Sequence, residues 1–325
     1  MKPLGSKQLP AHVRGDRFFL QVVTVSDQPL TLFTDTGGGT LIKRSAAERA
    51  GLEVETSRRG DTEQSVASFP LLREDSWIPP ISVEHDLRSP EYRGKFLVVE
   101  DSKWRGPLAD GMLGPEWFAG RIWTFDYPRG QLWVHAEPPE SLVDPAHTVS
   151  LGFLTVRTGR RVTHFPSVEA SIDGESFAFL FDTGATVRLS DMALAELASS
   201  SKGAAIGAGV GSKEHATCFI VASIFDRWRA RHPGWRVIEN ADENYRGAPM
   251  IEVPEVTIAG HTVGPVWFTR REAREFHDWL SQWTDRRVDG ALGGSLFRYF
   301  TVTVDYPRAR ASFLLGVSKS RKEQA

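Results

Sequence analysis

The stretches TLFTDTGGGT, residues 31–40, and AFLFDTGATV, residues 178–187, decide how this chain is read. Each is an apolar run that ends in Asp-Thr-Gly, and the two aspartates, Asp35 and Asp182, lie 147 positions apart. A single Asp-Thr-Gly is an ordinary turn composition. Two copies carry more weight only if the residues around them repeat as well.

They do. DGMLGPEWFAGRIWTFDYPRGQLWV starts at Asp110 and DGALGGSLFRYFTVTVDYPRARASF at Asp289. Both open D-G-x-L-G and reach D-Y-P-R sixteen residues later, at Asp126 and Asp305. The D-Y-P-R copies read as hairpin turns, with proline fixing φ between two strands. Upstream, SDQPLTLFTDTGGGT and IDGESFAFLFDTGAT both read as turn, strand and Asp-Thr-Gly. Each half therefore runs strand, Asp-Thr-Gly, helix, strands, D-G-x-L-G, strand, turn, strand.

The helix of the first half is expected at 45–52, SAAERAGL, where Ser45 and Glu48 have capping-box spacing. Its match is expected at 189–200, LSDMALAELASS, with Ser190 as N-cap. Asp35 to Asp110 spans 75 residues and Asp182 to Asp289 spans 107, so the second half carries about 32 more. The Pro-rich polar stretch 135–150 reads as a linker. It divides the chain into an N-terminal β lobe, 1–140, and a C-terminal β lobe, 141–325, with a longer middle. Two further segments stand out in the second half. Phe276, Trp279, Leu280 and Trp283 form an apolar stripe at helical spacing and predict a packed helix over 272–284. Residues 219–236 hold four arginines and two tryptophans. Such a cluster can grip nucleic acid, but a solvated helix end with buried tryptophans is the preferred reading, because the chain as a whole is nearly neutral.

Composition agrees with a globular protein. The 325 residues are 41% hydrophobic and 25% charged, and 39 basic against 41 acidic side chains leave a formal net charge of -2. Nothing in that balance draws the chain to nucleic acid or to anionic membrane. Cys218 is the one cysteine, so an internal disulfide is impossible. The N-terminus has no apolar signal core, and FFLQVVTV reads as the first strand. Few residues precede it, so no propeptide is expected. No apolar run reaches the length of a membrane span. The expected location is cytoplasmic, with a monomer sufficient for the site.

Four motifs in this order, Asp35-Thr36-Gly37, Met112-Leu113-Gly114, Asp182-Thr183-Gly184 and Ala291-Leu292-Gly293, resemble the aspartic peptidases over nearly the whole chain. The resemblance implies a mostly β, bilobal fold with a few short helices, its two lobes related by a pseudo-two-fold axis. It implies an endopeptidase in which Asp35 and Asp182 share one proton and activate a water against a peptide carbonyl, without metal or cofactor. In that family, two like charges held close together are known to split the pKa values of the pair. Thr36 and Thr183 are implied to bond across to the opposite lobe. Gly37 and Gly184 let the backbone turn and approach closely. A non-catalytic peptide-binding protein on the same fold is the second reading.

The chain departs from the pepsin-like pattern in two places. Gly38 and Ala185 follow the motifs where pepsin-like members carry Ser or Thr, and retroviral members also have Ala there. Losing those donors raises the carboxylate pKa. No flap tyrosine is found in 53–69, which reads as a polar hairpin around Gly60. Its match is expected in 204–219, where Gly207, Gly209 and Gly211 resemble a glycine-rich retroviral flap. The same glycines do not satisfy the phosphate-loop pattern. H-E-x-x-H and G-x-S-x-G are both absent.

Overall fold

The computed structural model describes residues 5–59, 62–199 and 212–316. The flap candidates Gly60, Gly207, Gly209 and Gly211 lie outside these residues.

The chain is mostly β and is built from two related halves. In the first, the Asp-Thr-Gly strand Pro29–Thr34 lies parallel to Gly111–Leu113 of D-G-x-L-G. Leu41–Lys43 flanks that segment on its other side, followed outward by Lys95–Val99, Thr62–Ser68 and Val54–Arg59. In the second, Glu175–Phe181 lies parallel to Gly290–Leu292. There the order continues outward through Cys218–Val221, Val266–Arg271, Ala248–Val253 and Val237–Asp242. The two orders and strand directions superpose one for one.

A six-stranded sheet joins the halves. Ile122–Asp126 of the first pairs antiparallel with Phe300–Asp305 of the second, and Thr124 faces Thr303. Their hydroxyls are 2.9 Å apart and buried. These threonines are equivalents under the repeat, so their meeting marks the pseudo-two-fold axis. Each strand turns back through D-Y-P-R as expected. Asp126 accepts from Arg129 N at 3.1 Å and Asp305 from Arg308 N at 2.9 Å. Above the sheet the core is aromatic, with Trp117, Phe118, Trp123 and Phe125 all buried and Trp117 4.2 Å from Trp123 between ring centres. Fully burying side chains of this kind contributes roughly 1.5–3 kcal/mol each.

Strand order corrects the internal alignment. Leu41 pairs with Met112, and Phe219 pairs with Ala291, so Cys218–Val221 occupies the place of Leu41–Lys43. The extra length of the second half therefore sits directly after its Asp-Thr-Gly. It forms the ribbon of Thr186–Arg188 with Glu214–Ala216 and the helix Asp191–Ser199. The equivalent of the helix Arg44–Arg49 is Ala222–Arg231, since each follows its central strand. The helix at Asp191–Ser199 is an addition, capped by Ser190 Oγ on Ala193 N at 3.1 Å. Likewise the partner of the hairpin Val54–Arg59 and Thr62–Ser68 is Val237–Asp242 with Ala248–Val253, and not 204–219. Glycine content near the second Asp-Thr-Gly suggested the wrong segment, because similarity along the chain does not reveal which strands pair.

Three local expectations are also revised. Ser45 lies inside its helix, whose N-cap is Lys43 with no side-chain bond. Asp101 supplies the cap from outside, accepting from Ser45 N at 3.1 Å and Ser45 Oγ at 2.5 Å. The stripe at 272–284 buries only in part: Phe276 is in the core and Leu280 packs against it, while Trp279 and Trp283 do not. Arg274–Trp279 is a π-helical turn and Leu280–Gln282 a 3-10 turn, so the 3.6-residue period is lost. Phe276 is buried, while Trp279 is 62% exposed. Finally, the linker is shorter than 135–150. His135 ends the strand Gln131–His135, and Thr148–Ser150 pairs with residues 310–312.

The arginine-tryptophan segment takes the bland form. Trp228 is buried. Arg227, Arg229 and Arg231 pair with Glu175, Glu239 and both Asp173 and Glu175, and Arg236 lies 3.7 Å from Glu196. No helix among the described residues is long and apolar enough to cross a membrane.

Candidate active site

Both Asp-Thr-Gly turns arrive at the axis, held by matching backbone bonds. Asp35 N donates to Leu113 O at 3.0 Å and Asp182 N to Leu292 O at 2.9 Å. Those leucines belong to the two D-G-x-L-G segments, which explains why the motifs travel together. Gly37 N donates to Asp35 Oδ1 at 3.0 Å, and Gly184 N to Asp182 Oδ1 at 2.8 Å.

The threonines cross between halves. Thr36 Oγ1 donates to Phe181 O at 2.7 Å and accepts from Thr183 N at 2.9 Å. Thr183 Oγ1 donates to Thr34 O at 3.3 Å and accepts from Thr36 N at 3.2 Å. All four groups are buried, so each hydroxyl satisfies two backbone groups that water does not reach.

The glycines are required by closeness and not by φ. A β-carbon on Gly37 would lie 2.5 Å from Asp182 Cγ, and one on Gly184 would lie 2.1 Å from Asp35 Cγ. Each glycine thus faces the aspartate of the other half. The two carboxyl groups are near enough for each to act on the other's ionisation. Burial holds both above the ordinary carboxylate range, Asp182 well above it, where the Asp35 charge adds to burial. Backbone N–H groups of Gly37, Gly38, Gly184 and Ala185 oppose the shift in part. A β-carbon at position 38 would come within 2.3 Å of Asp35 Oδ2. A Ser or Thr there requires the carboxylate to move.

The dyad lies at the base of an open cleft of about 370 Å³. Leu41 and Phe219, equivalent under the repeat, both line it, with Phe33, Met112, Trp104 and Tyr245. Sequence reasoning missed Tyr245. It sits in the turn between Val237–Asp242 and Ala248–Val253, the strands that correspond to Val54–Arg59 and Thr62–Ser68 of the first half. Arg271 fixes it. The guanidinium lies 3.7 Å from the Tyr245 ring centre and 4.1 Å from that of Phe219. Its Nη2 donates to the buried Asp242 at 2.8 Å. The signal was the run VIENADENYRGAPMIEV, two alternating strands around a turn, which competed with the glycine-rich segment nearer the motif. Trp104 was missed too. It lies in a loop with no periodicity, and its indole is anchored on Pro107 O at 2.9 Å.

No protein-family model and no curated protein matches the sequence. Among solved structures, the chain is similar to the aspartic proteinase from Irpex lacteus. The TM-score is 0.53 at 11% sequence identity, and the match covers 98% of this chain and 100% of that one. A likeness at that identity speaks to the fold. This chain has the bilobal, mostly β fold of an aspartic proteinase, with its two Asp-Thr-Gly turns meeting at the axis between the halves.

Proposed function

We propose that this chain is an aspartic endopeptidase, with Asp35 and Asp182 as its catalytic pair and Thr36, Gly37, Thr183 and Gly184 as their supports. The observation that carries the reading is the pair itself. Two carboxyl groups, each against the glycine of the opposite turn, are raised in pKa and line one cleft walled by apolar and aromatic side chains. Such a pair holds one proton across a wide pH range. Its ionised member takes a proton from a water, which attacks the peptide carbonyl carbon. Its protonated member donates to the oxygen that becomes negative. The tetrahedral intermediate collapses as a proton passes to the amide nitrogen and the C–N bond breaks. General acid and base help of this kind supplies roughly 10²- to 10⁴-fold.

The substrate is a peptide or unfolded protein segment, and one chain carries both aspartates. Desolvation raises both titration steps, so activity should peak at mildly acidic to near-neutral pH, as suits a cytoplasmic enzyme. The test is cleavage of a diverse peptide library from about pH 3 to 8, a range that starts below the ordinary carboxylate pKa. Asp35→Asn and Asp182→Asn should each abolish cleavage, and the double variant should lose little more, because the pair acts as a unit. Full activity in either single variant would remove the dyad. Peptide binding without cleavage at any pH would assign the fold to a binding role.

A further inference from the structure

Beside the dyad cleft lies a second cavity, of about 510 Å³, and the two share Trp104, Gly106, Pro107 and Glu214. Its charges are one-sided. Arg14, Arg17, Lys43, Arg188 and Lys213 line it, against Glu214 as the one acid among the described residues. A chain with a net charge of -2 does not produce this by bulk composition.

Three of the five cations already have partners. Arg17 pairs with Glu214 at 3.4 Å, and Arg188 pairs with Glu214 at 3.6 Å and Glu243 at 3.1 Å. Lys213 pairs with Asp191 at 2.7 Å and Glu243 at 2.9 Å. Arg14 and Lys43 have no ion pair among the described residues. Arg14 instead lies 4.3 Å from the Phe19 ring centre and Lys43 5.0 Å from that of Trp104. Lys43 also attracts Asp101, but that carboxylate is held chiefly by Ser45. The Nε groups of Arg14 and Arg17 are buried with no hydrogen-bond partner, and Arg17 is only 1% exposed. Burial together with the Arg14 charge holds the His12 imidazole below its ordinary pKa.

The cavity forms where the extra segment of the second half folds onto the first. Arg188, Lys213 and Glu214 come from that segment, while Arg14 and Arg17 face each other across the turn between Ala11–Arg14 and Arg17–Val23. Ala216 N donates to Gly15 O at 2.7 Å, and Arg17 Nη2 donates to Glu214 O at 2.9 Å. The first half has no matching segment, so the pseudo-two-fold axis provides no second such cavity. One side of the cleft is thereby made different from the other.

We propose that this cavity is a carboxylate-binding subsite for a peptide lying across Asp35 and Asp182. It takes an Asp or Glu side chain, or the C-terminal carboxylate of the peptide, with Arg14 and Lys43 as the unspent cations. The inference rests on reading the dyad cleft as a peptide site. Hydrogen bonds between charged partners are roughly twice as strong as neutral ones, and an arginine fork matches carboxylate geometry.

The test uses peptides of one scaffold, C-terminally amidated, with Glu or its isostere Gln placed at each position in turn, and a Gln version ending in a free carboxylate. Binding is measured on Asp182→Asn protein and cleavage on the wild type. Glu at one fixed position should bind about ten-fold more tightly than Gln, and the ratio should shrink with added salt. A gain confined to the free-carboxylate peptide would assign the cavity to chain ends. In the Arg14→Gln, Lys43→Gln double variant, with its unfolding temperature checked, the Glu-to-Gln ratio should fall toward one. Arg14→Glu with Lys43→Glu should favour Lys over Gln at that position. The proposal is overturned if neither carboxylate source is favoured more than two-fold, if nothing binds, or if the folded double variant discriminates as the wild type does. Acid-selective binding without any wild-type cleavage would keep the subsite and reject the peptidase reading. Cleavage without acid preference would do the reverse.

Discussion

Asp35 and Asp182 cost the protein stability where they are most useful. Burial raises both pKa values above the ordinary 3.8, and at Asp182 the Asp35 charge adds to the rise. Between that value and the raised ones, the folded state binds more protons than the unfolded state. Stability therefore falls as pH rises through that window and is complete below about pH 3.8. Asp182→Asn removes one charge and keeps an acceptor for Gly184 N. It should raise the unfolding temperature at pH 7, by about 2–4 °C per kcal/mol relieved. The gain should shrink as pH falls toward the ordinary carboxylate value. Thermal unfolding of variant and wild type from pH 3 to 8 (spanning about four units above the usual Asp pKa) measures it. A variant equally or less stable at pH 7 would show that the pair is not strained by charge.

Among the elements, the crossed threonines do the joining. Removing the Thr36 hydroxyl leaves Phe181 C=O and Thr183 N–H buried without a partner. Each such group costs about 1–3 kcal/mol. Thr36→Val and Thr183→Val should each destabilise by roughly 2–4 kcal/mol, on the basis of two unpaired groups that partly relax. Since the two hydroxyls serve neighbouring groups, the double variant should lose less than the sum. Urea unfolding with a double-mutant cycle checks both statements, and simple additivity would mean the turns are held independently. The two hairpins at this scale are not alike. The second is pinned at its turn by Arg271, Asp242 and Tyr245, whereas the first extends from its sheet through Thr62–Ser68 paired with residues 95–98.

The whole molecule closes through a sheet that neither half completes. Residues 5–140 alone expose Ile122–Asp126 where Phe300–Asp305 should pair, and residues 141–316 expose the reverse. A bare, apolar inner edge invites pairing with another chain. Expressed separately, neither half should yield a folded monomer, while co-expression should return a one-to-one complex of native unfolding profile. Size-exclusion chromatography with far-ultraviolet circular dichroism decides the matter. A folded, monomeric N-terminal half would show that the six-stranded sheet is dispensable.

What the sequence determined by itself was whatever repeats locally. The duplicated D-G-x-L-G and D-Y-P-R carry fixed spacing and each pair follows an Asp-Thr-Gly, and from them the two-half plan, the hairpin turns and the nearness of Asp35 and Asp182 could be read. Turn chemistry and apolar runs act over a few residues, so they leave a mark in the chain. The place of the extra segment, the identity of the second hairpin and the cleft residues Tyr245 and Trp104 left no such mark. Those were decided by which strand lies beside Gly290–Leu292, a matter of hydrogen-bond pairing between distant segments. The cation cavity belongs to the same class. Arg14, Arg17, Lys43, Arg188 and Lys213 are scattered along the chain without a pattern, and only the fold of one half onto the other gathers their charge.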